Sequence, residues 1–429
     1  MEAGQETFKL VIEGAGDIVQ RGYLPAIEKL KGKGRRLEVV FADDSSYWRK
    51  NAGLRGKMLS IKSSILKAGA RYLDKADRAH QAEYEALQPD AVVVASPDRT
   101  HADVTKSWLD RPRGPKRIFI EKPLEANLDA ARRLLGRIPA YDRRVLAFDH
   151  YRARLLPARA HFDMLYGFLN RKLNRFTFYF LEDHSGADPT YEPEKQRQGP
   201  IENEQRVQAL QEGIILDVMP HVIAIVAHFG QVETLRVTGV RAAKYKGVDR
   251  DDSKLAQIPN ETFAQVQFVF ADYDGNRVEG EAFVGKGVRG VRELNIEHDR
   301  NAKYLILRTA EGRKVTFDLR SKGEGASKAE LTDENGASSV TFDLNPDPYY
   351  TFLAAVTDPK AFDERIGLYV ELGKRILEII EDMRFPIKER LKAGGLDTYP
   401  CGIGGKRESL YLDEITQNLR WIYGQAAPD

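Results

Sequence analysis

The sequence predicts an α/β chain. A doubly wound parallel sheet comes first, followed by an α+β domain with a large, mostly antiparallel sheet. Short apolar runs alternate with helical segments over the first 150 residues, the pattern of strands joined by crossover helices. A Gly-x-Gly turn directly follows the first run. Beyond residue 150 strand-like runs succeed one another with few helices between them, which suits antiparallel pairing. At 429 residues the chain exceeds one ordinary core, so domains are expected at 1–150 and 151–429.

FKLVIE, residues 8–13, is the first strand and runs into Gly14-Ala15-Gly16-Asp17-Ile18-Val19. A helix follows, with a break or kink expected at Pro25. LEVVFA at 37–42 is the second strand and stops at Asp43-Asp44. AVVVA at 91–95 is apolar throughout, as buried parallel strands are. RIFIE at 117–121 and VLAF at 145–148 complete the set, with an amphipathic helix at 125–136 between them. Residues 46–78 are long for a connection and rich in Lys and Arg. They read as one or two surface helices with a solvated basic face, or as an arm over a cofactor or partner. In the second domain strands are expected at 174–181, 263–270, 278–284, 291–297, 303–308 and 314–318, and helices at 203–228 and 361–383. The polar 323–340 and the Gly-rich 393–406 read as loops.

Hydrophobic residues make up 42% and charged residues 30%, as in ordinary soluble domains. A formal charge of +2 supplies no global field toward nucleic acid or membrane. The single cysteine, Cys401, rules out an intrachain disulfide and fits a reducing compartment. The polar N-terminus lacks the features of a signal peptide, and no apolar stretch is long enough to span a membrane. A cytoplasmic location is expected. The histidines are scattered and no Cys/His cluster has ligand spacing, so no metal site is expected.

The Gly-x-Gly turn gives the first domain a chemical reading. Gly14 permits a tight turn and Gly16 lets backbone approach a pyrophosphate at a helix N-terminus, with Asp17 and Ile18 beside it. This is the Rossmann arrangement, although Val19 replaces the third small residue of the fingerprint. Asp43, at the end of the second strand, is placed to accept bonds from the adenosine ribose and to repel a 2′-phosphate. That favours NAD, while Ser45, Ser46 and Arg49 leave NADP open.

Four further motifs carry a resemblance. The strand at 91–95 runs into Ser96-Pro97-Asp98-Arg99-Thr100-His101, and the next ends in Glu121-Lys122-Pro123. Gly22-Tyr23-Leu24-Pro25-Ala26 lies on the first helix, and Asp217-Val218-Met219-Pro220-His221 follows later. Together they resemble the glucose–fructose oxidoreductase/inositol dehydrogenase/MocA (Gfo/Idh/MocA) family over most of residues 7–230. Locally, Asp149-His150-Tyr151 with Arg154 is similar to a segment of glucose-6-phosphate dehydrogenase, which has lysine where Arg154 stands. The Asp217–His221 spacing follows the first family. The resemblance implies a nicotinamide-dependent dehydrogenase, with Ser96, Pro97, His101, Glu121, Lys122 and Pro123 at the cofactor. Its implied substrate is a sugar, sugar phosphate, amino sugar or cyclitol.

The residue types suit alcohol oxidation. A hydride and a proton must leave, so a base and a charge stabiliser are needed. Asp217 and His221 lie four apart on an expected helix and share one face. His221 is the candidate base, and Asp217 either bonds the substrate or raises the basicity of the histidine. Lys122, at the carboxyl edge of the sheet, can polarise the reacting oxygen. Asp149, His150, Tyr151 and Arg154 are candidate substrate contacts, Arg154 as a forked donor; the bland reading is a polar crossover between domains. His184 is a further candidate contact. A homo-oligomer, dimer or tetramer, is expected from the second domain's sheet. A lactone-forming hexose-phosphate dehydrogenase and a non-catalytic nucleotide sensor are the rival readings; a sensor has no need of Lys122, Asp217 and His221 together.

Overall fold

The computed structural model describes residues 7–16, 18–49, 52–122, 124–125, 128–138, 144–155, 165, 167, 169, 172–182, 213–246, 260–286, 288–289, 301–320, 328–344, 347–358, 367–400 and 410–424. The chain divides into two compact units. Unit 1 is Met1–Ala153 with Asp347–Lys374, and unit 2 is Arg154–Pro346 with Arg375–Asp429.

Unit 1 holds β1 (Phe8–Glu13), β2 (Leu37–Asp43), β3 (Arg71–Asp74), β4 (Ala91–Val94), β5 (Arg117–Glu121) and β6 (Val145–Phe148). All six are parallel, in the order β6-β5-β4-β1-β2-β3. Every residue of β4 is buried, which explains its unbroken apolar sequence. Chain order reverses between β1 and β4, where a sheet of this kind opens a ligand crevice at its carboxyl edge. Between β1 and β2 a π-helical turn, Val19–Tyr23, leads into α1 (Leu24–Gly32). The break expected at Pro25 is therefore a join: the proline sits in the first turn of α1, where an N–H has no helical partner anyway. The basic segment contains the expected helices, α2 (Ser46–Arg49) and α3 (Ala52–Lys67), but also β3, a four-residue strand too short to leave a pattern.

Residues 347–374 were assigned to the second domain from sequence but lie in unit 1. Phe352 stacks on Phe148 at 3.9 Å and meets Phe119 edge-on at 5.0 Å. Residues 367–369, expected in a helix, form a strand antiparallel to β6. The helix starts at Val370 and runs to Lys392.

Unit 2 contains a nine-stranded sheet. Its strands are β7 (Leu173–Glu182), β8 (Gly230–Lys246), β9 (Phe263–Asp272), β10 (Arg277–Lys286), β12 (Asn301–Thr309), β13 (Lys314–Asp318), β14 (Lys328–Thr332), β15 (Ser338–Asp343) and β17 (Asp397–Pro400). Strands 11 (Val288–Arg289) and 18 (Leu410–Tyr411) pair separately, and strand 16 is the Gly367–Tyr369 strand of unit 1. The order is β15-β14-β13-β12-β7-β10-β9-β8-β17, antiparallel except for β7–β10 and β8–β17. Two expected loops thus contribute strands. Lys328–Thr332 and Ser338–Asp343 form a hairpin, because Asp333 Oδ1 accepts from the amides of Asn335 and Ala337 and Gly336 takes φ +83°. Asp397–Pro400 pairs with β8 at the sheet edge. β8 itself carried no expectation. The strand expected at 291–297 and the residues before 213 in the helix expected at 203–228 lie outside the described residues.

The two sheet faces are covered differently. One packs the helix Ile214–Phe229 (α8), on which nearly every residue is buried. The other carries Tyr179, Phe283, Tyr304 and Ile306, which pack with Leu412, Ile415 and Leu419 of the C-terminal segment. Arg241 Nη1 donates to the Thr416 carbonyl at 2.8 Å, and its guanidinium lies over Trp421. The chain therefore covers part of this sheet face itself. No helix among the described residues is long and apolar enough to cross a membrane.

Candidate active site

The β1 turn is built as a dinucleotide needs. Gly14 has φ +101°, and a Cβ there would lie 2.7 Å from the Ala95 carbonyl oxygen, so the turn's own backbone demands glycine. At Gly16 the opposite holds: a Cβ would meet nothing within 4 Å. The fold makes no demand for glycine there, so the open ground beside Gly16 fits backbone approach by a pyrophosphate. The missing third glycine is accommodated differently. Val19 is buried and opens the π-helical turn, and close approach moves to Gly22, whose Cβ would strike the Tyr349 ring at 2.7 Å. Ile18 leads into that turn in helical conformation. Asp17 and Pro123 lie outside the described residues.

Asp43 ends β2 as expected. Its Oδ2 accepts from Trp48 Nε1 at 2.9 Å and from the Tyr72 hydroxyl at 3.4 Å. Burial pushes its pKa up, against the pull of those two donors, the Asp44 amide and Lys75. On the other side of the crevice, Ser96 follows β4. His101 Nε2 contacts the Ser96 carbonyl at 2.8 Å, and the Thr100 hydroxyl reaches Ser96 Oγ and the Pro97 carbonyl. His101 is buried and Pro97 exposed, so His101 holds the loop in place while Ser96 and Pro97 form its surface.

Glu121 ends β5 and is buried. Its Oε1 accepts from the Tyr23 hydroxyl at 2.6 Å. Burial raises its pKa to about 7; the bond from Tyr23 and the charge of Lys122 pull down, and Asp149 pushes up. Lys122, the next residue, is half-buried. Asp149 is buried and accepts from the Arg152 amide at 2.9 Å, starting a short helix at His150. His150 lies against Tyr151 and Tyr349, with centroids at 4.4 and 6.1 Å. Sequence reasoning missed Glu13, fully buried under the turn. Its carboxylate accepts from Tyr84, Trp108 and Lys75 at 2.6, 2.7 and 2.8 Å. An acid closing an apolar strand is the signal that marks it.

In unit 2, Asp217 and His221 share the sheet-facing side of α8. His221 is buried and stacks on Phe180 with centroids 6.3 Å apart. Asp217 Oδ2 lies 3.9 Å from Lys286 Nζ. Lys286 also pairs with Glu182, which Lys303 Nζ reaches at 3.0 Å. Both ammonium groups sit over the Phe180 ring, at 5.4 and 5.2 Å. Sequence reasoning missed Lys286, Lys303 and Glu182. Each is a charge near the end of a largely apolar strand, and β7, β10 and β12 bring them together only by pairing. Gly213, φ +95°, precedes α8, and the Glu261 carboxylate accepts from the Ile215 amide in its first turn at 3.3 Å. Arg154 is not presented as an open fork. Its Nη1 donates to the carbonyls of Leu319 and Arg320 at 2.9 and 2.7 Å. His184 lies outside the described residues. No group of three or more His, Cys, Asp and Glu among the described residues could hold a metal ion.

A Rossmann sheet with this turn and an acidic second strand end defines an NAD(P)-binding oxidoreductase once the comparisons are added. Residues 8–148 match the model of the oxidoreductase family with an NAD-binding Rossmann fold, GFO_IDH_MocA. Over those residues the chain is similar to the Gfo/Idh/MocA oxidoreductases. No curated protein matches the chain in sequence. Its fold is similar to a 3-ketoreductase from Actinomadura kijaniata solved with NADP and TDP-benzene, at 16% identity and TM-score 0.58, covering 92% of this chain and 99% of that one. It is also similar to glucose-6-phosphate 1-dehydrogenase from Mycobacterium avium, at 14% identity and TM-score 0.57, covering 94% and 95%. A myo-inositol dehydrogenase from Corynebacterium glutamicum matches at 13% identity and TM-score 0.53, covering 91% and 98%.

Proposed function

We propose that this oxidoreductase acts on a CH–OH group of a sugar-like polyhydroxy substrate and takes NAD in preference to NADP. The observation that carries the substrate reading is the polar cluster around Asp217 and His221. Lys286 and Lys303 are offset by Glu182 and Asp217, so the cluster offers donors and acceptors in balance. A balanced set suits hydroxyl groups better than a phosphate, which would need cations that are not already neutralised. The preference for NAD rests on Asp43.

When bound, the nicotinamide supplies the hydride acceptor. His221 takes the proton of the reacting hydroxyl, and Asp217 bonds the substrate or supports the imidazole. Lys122 stabilises the negative charge that develops on the oxygen. A general base usually contributes about 10²–10⁴-fold. His221→Ala should lower kcat by that order, with NADH affinity measured by fluorescence little changed. His150→Ala should act on KM. A panel of neutral and phosphorylated sugars and cyclitols tests the substrate class. Near-native turnover in His221→Ala with an inactive His150→Ala would move the base to Asp149-His150. Preference for a phosphorylated sugar would reject the neutral reading in favour of a hexose-phosphate dehydrogenase, and NADH binding without turnover on any of these would favour a sensor.

A further inference from the structure

The ends of β2 and β3 hold two aspartates side by side, since Asp43 and Asp74 are register partners on adjacent parallel strands. Consecutive residues of α2 divide between them. Trp48 donates to Asp43 at 2.9 Å, and Arg49 Nη2 bonds Asp74 Oδ2 at 2.6 Å. The partner sets differ in charge: Asp43 receives the neutral indole and phenol, and Asp74 receives the guanidinium.

Asp74 cannot readily turn away from this bond. Its side chain is 4% exposed, and its Oδ1 accepts from the amides of Ser45 and Ala76 at 3.1 Å each. Burial would raise its pKa, but bonds from Ser45 and Ala76 and the Arg49 charge bring it below the usual value, so it is ionised at neutral pH. Arg49 is 57% exposed, so its position is set by the buried carboxylate. In dinucleotide sites an arginine close to the end of the second strand is what accommodates the ribose 2′-phosphate of NADP. Arg49 is the first cation after Asp43 in the chain, and Lys50 follows it.

We propose that Asp74 is a cofactor-specificity residue: it withholds Arg49 from a ribose 2′-phosphate. The proposal rests on the dinucleotide reading of this site, and extends the preference for NAD from one carboxylate to a three-residue arrangement. Asp43 then repels the 2′-phosphate, and Asp74 removes the residue that would otherwise attract it.

The test is equilibrium binding of NADH and NADPH, followed by nicotinamide fluorescence at fixed ionic strength. The proteins are the native chain, Asp74→Asn, Arg49→Ala and the double variant. Asparagine keeps an acceptor for the two amides and removes the charge. Asp74→Asn should tighten NADPH relative to NADH by about tenfold, the order of a new charge-assisted contact to phosphate, and the double variant should lose that gain. Arg49→Ala alone should leave the ratio little changed. An unchanged ratio in Asp74→Asn, or a gain that survives in the double variant, overturns the proposal. Should Asp74→Asn fail to fold, Arg49→Ala in the native chain still decides: a selective loss of NADPH affinity would show Arg49 already available to the phosphate. The native ratio tests the preference assigned to Asp43, and its change between variants tests Asp74, so the two can fail separately.

Discussion

Glu121→Gln tests what burial does at this site. The pKa of Glu121 rises from the usual 4.5 to about 7, burial being the largest cause. At 1.36 kcal/mol per pH unit the difference corresponds to about 3 kcal/mol. The sign follows from linkage. The folded state holds the proton more tightly than the unfolded chain does, so this contribution is fully present below pH 4.5 and is lost as pH rises through 7. Glu121→Gln keeps an acceptor for Tyr23 and cannot ionise. In a Trp421→Phe background the remaining tryptophans, Trp48 and Trp108, report on unit 1. Urea unfolding followed by their fluorescence at pH 4.5 to 8 should show the glutamate form losing about 3 kcal/mol more than the glutamine form. Parallel losses would refute the reasoning and mean that the carboxyl titrates near its ordinary value.

Tyr23→Phe removes a donor that favours the charged form of Glu121, so the pH at which unit 1 loses stability should move upward in the same assay; a downward shift would contradict the assigned bond. The two turn glycines should separate folding from binding. Gly14→Ala forces a Cβ against the Ala95 carbonyl at positive φ and should cost about 1–3 kcal/mol of stability, read as a lower urea midpoint. Gly16→Ala adds a Cβ that meets nothing within 4 Å, and should keep the native midpoint while NADH affinity falls; unchanged affinity would count against pyrophosphate approach at this turn.

Most strands of the Rossmann domain were legible in the sequence alone. Parallel strands buried on both faces are written as continuous apolar runs, and β1, β2, β4, β5 and β6 all are. A turn glycine and the acid ending the next strand are local features, so Gly14, Gly16 and Asp43 were legible without any partner. Asp217 and His221 were legible for the same reason, because four residues along a helix is a local spacing. Short strands were not, and neither was the 17-residue β8. β3, β14, β16 and β17 are three to five residues long, and their conformation is stabilised by neighbours distant in sequence rather than by their own pattern. Tertiary structure alone also decided that residues 347–374 complete unit 1, where Phe352 fills the space beside Phe119 and Phe148. It decided which polar groups meet: Tyr23 with Glu121 across 98 residues, Arg49 with Asp74, and Lys286 and Lys303 with Glu182. A charge on a strand end looks like surface until its neighbours are known. Whether it is solvated, paired or shifted in pKa depends on what the fold packs around it, and a linear pattern does not record that environment.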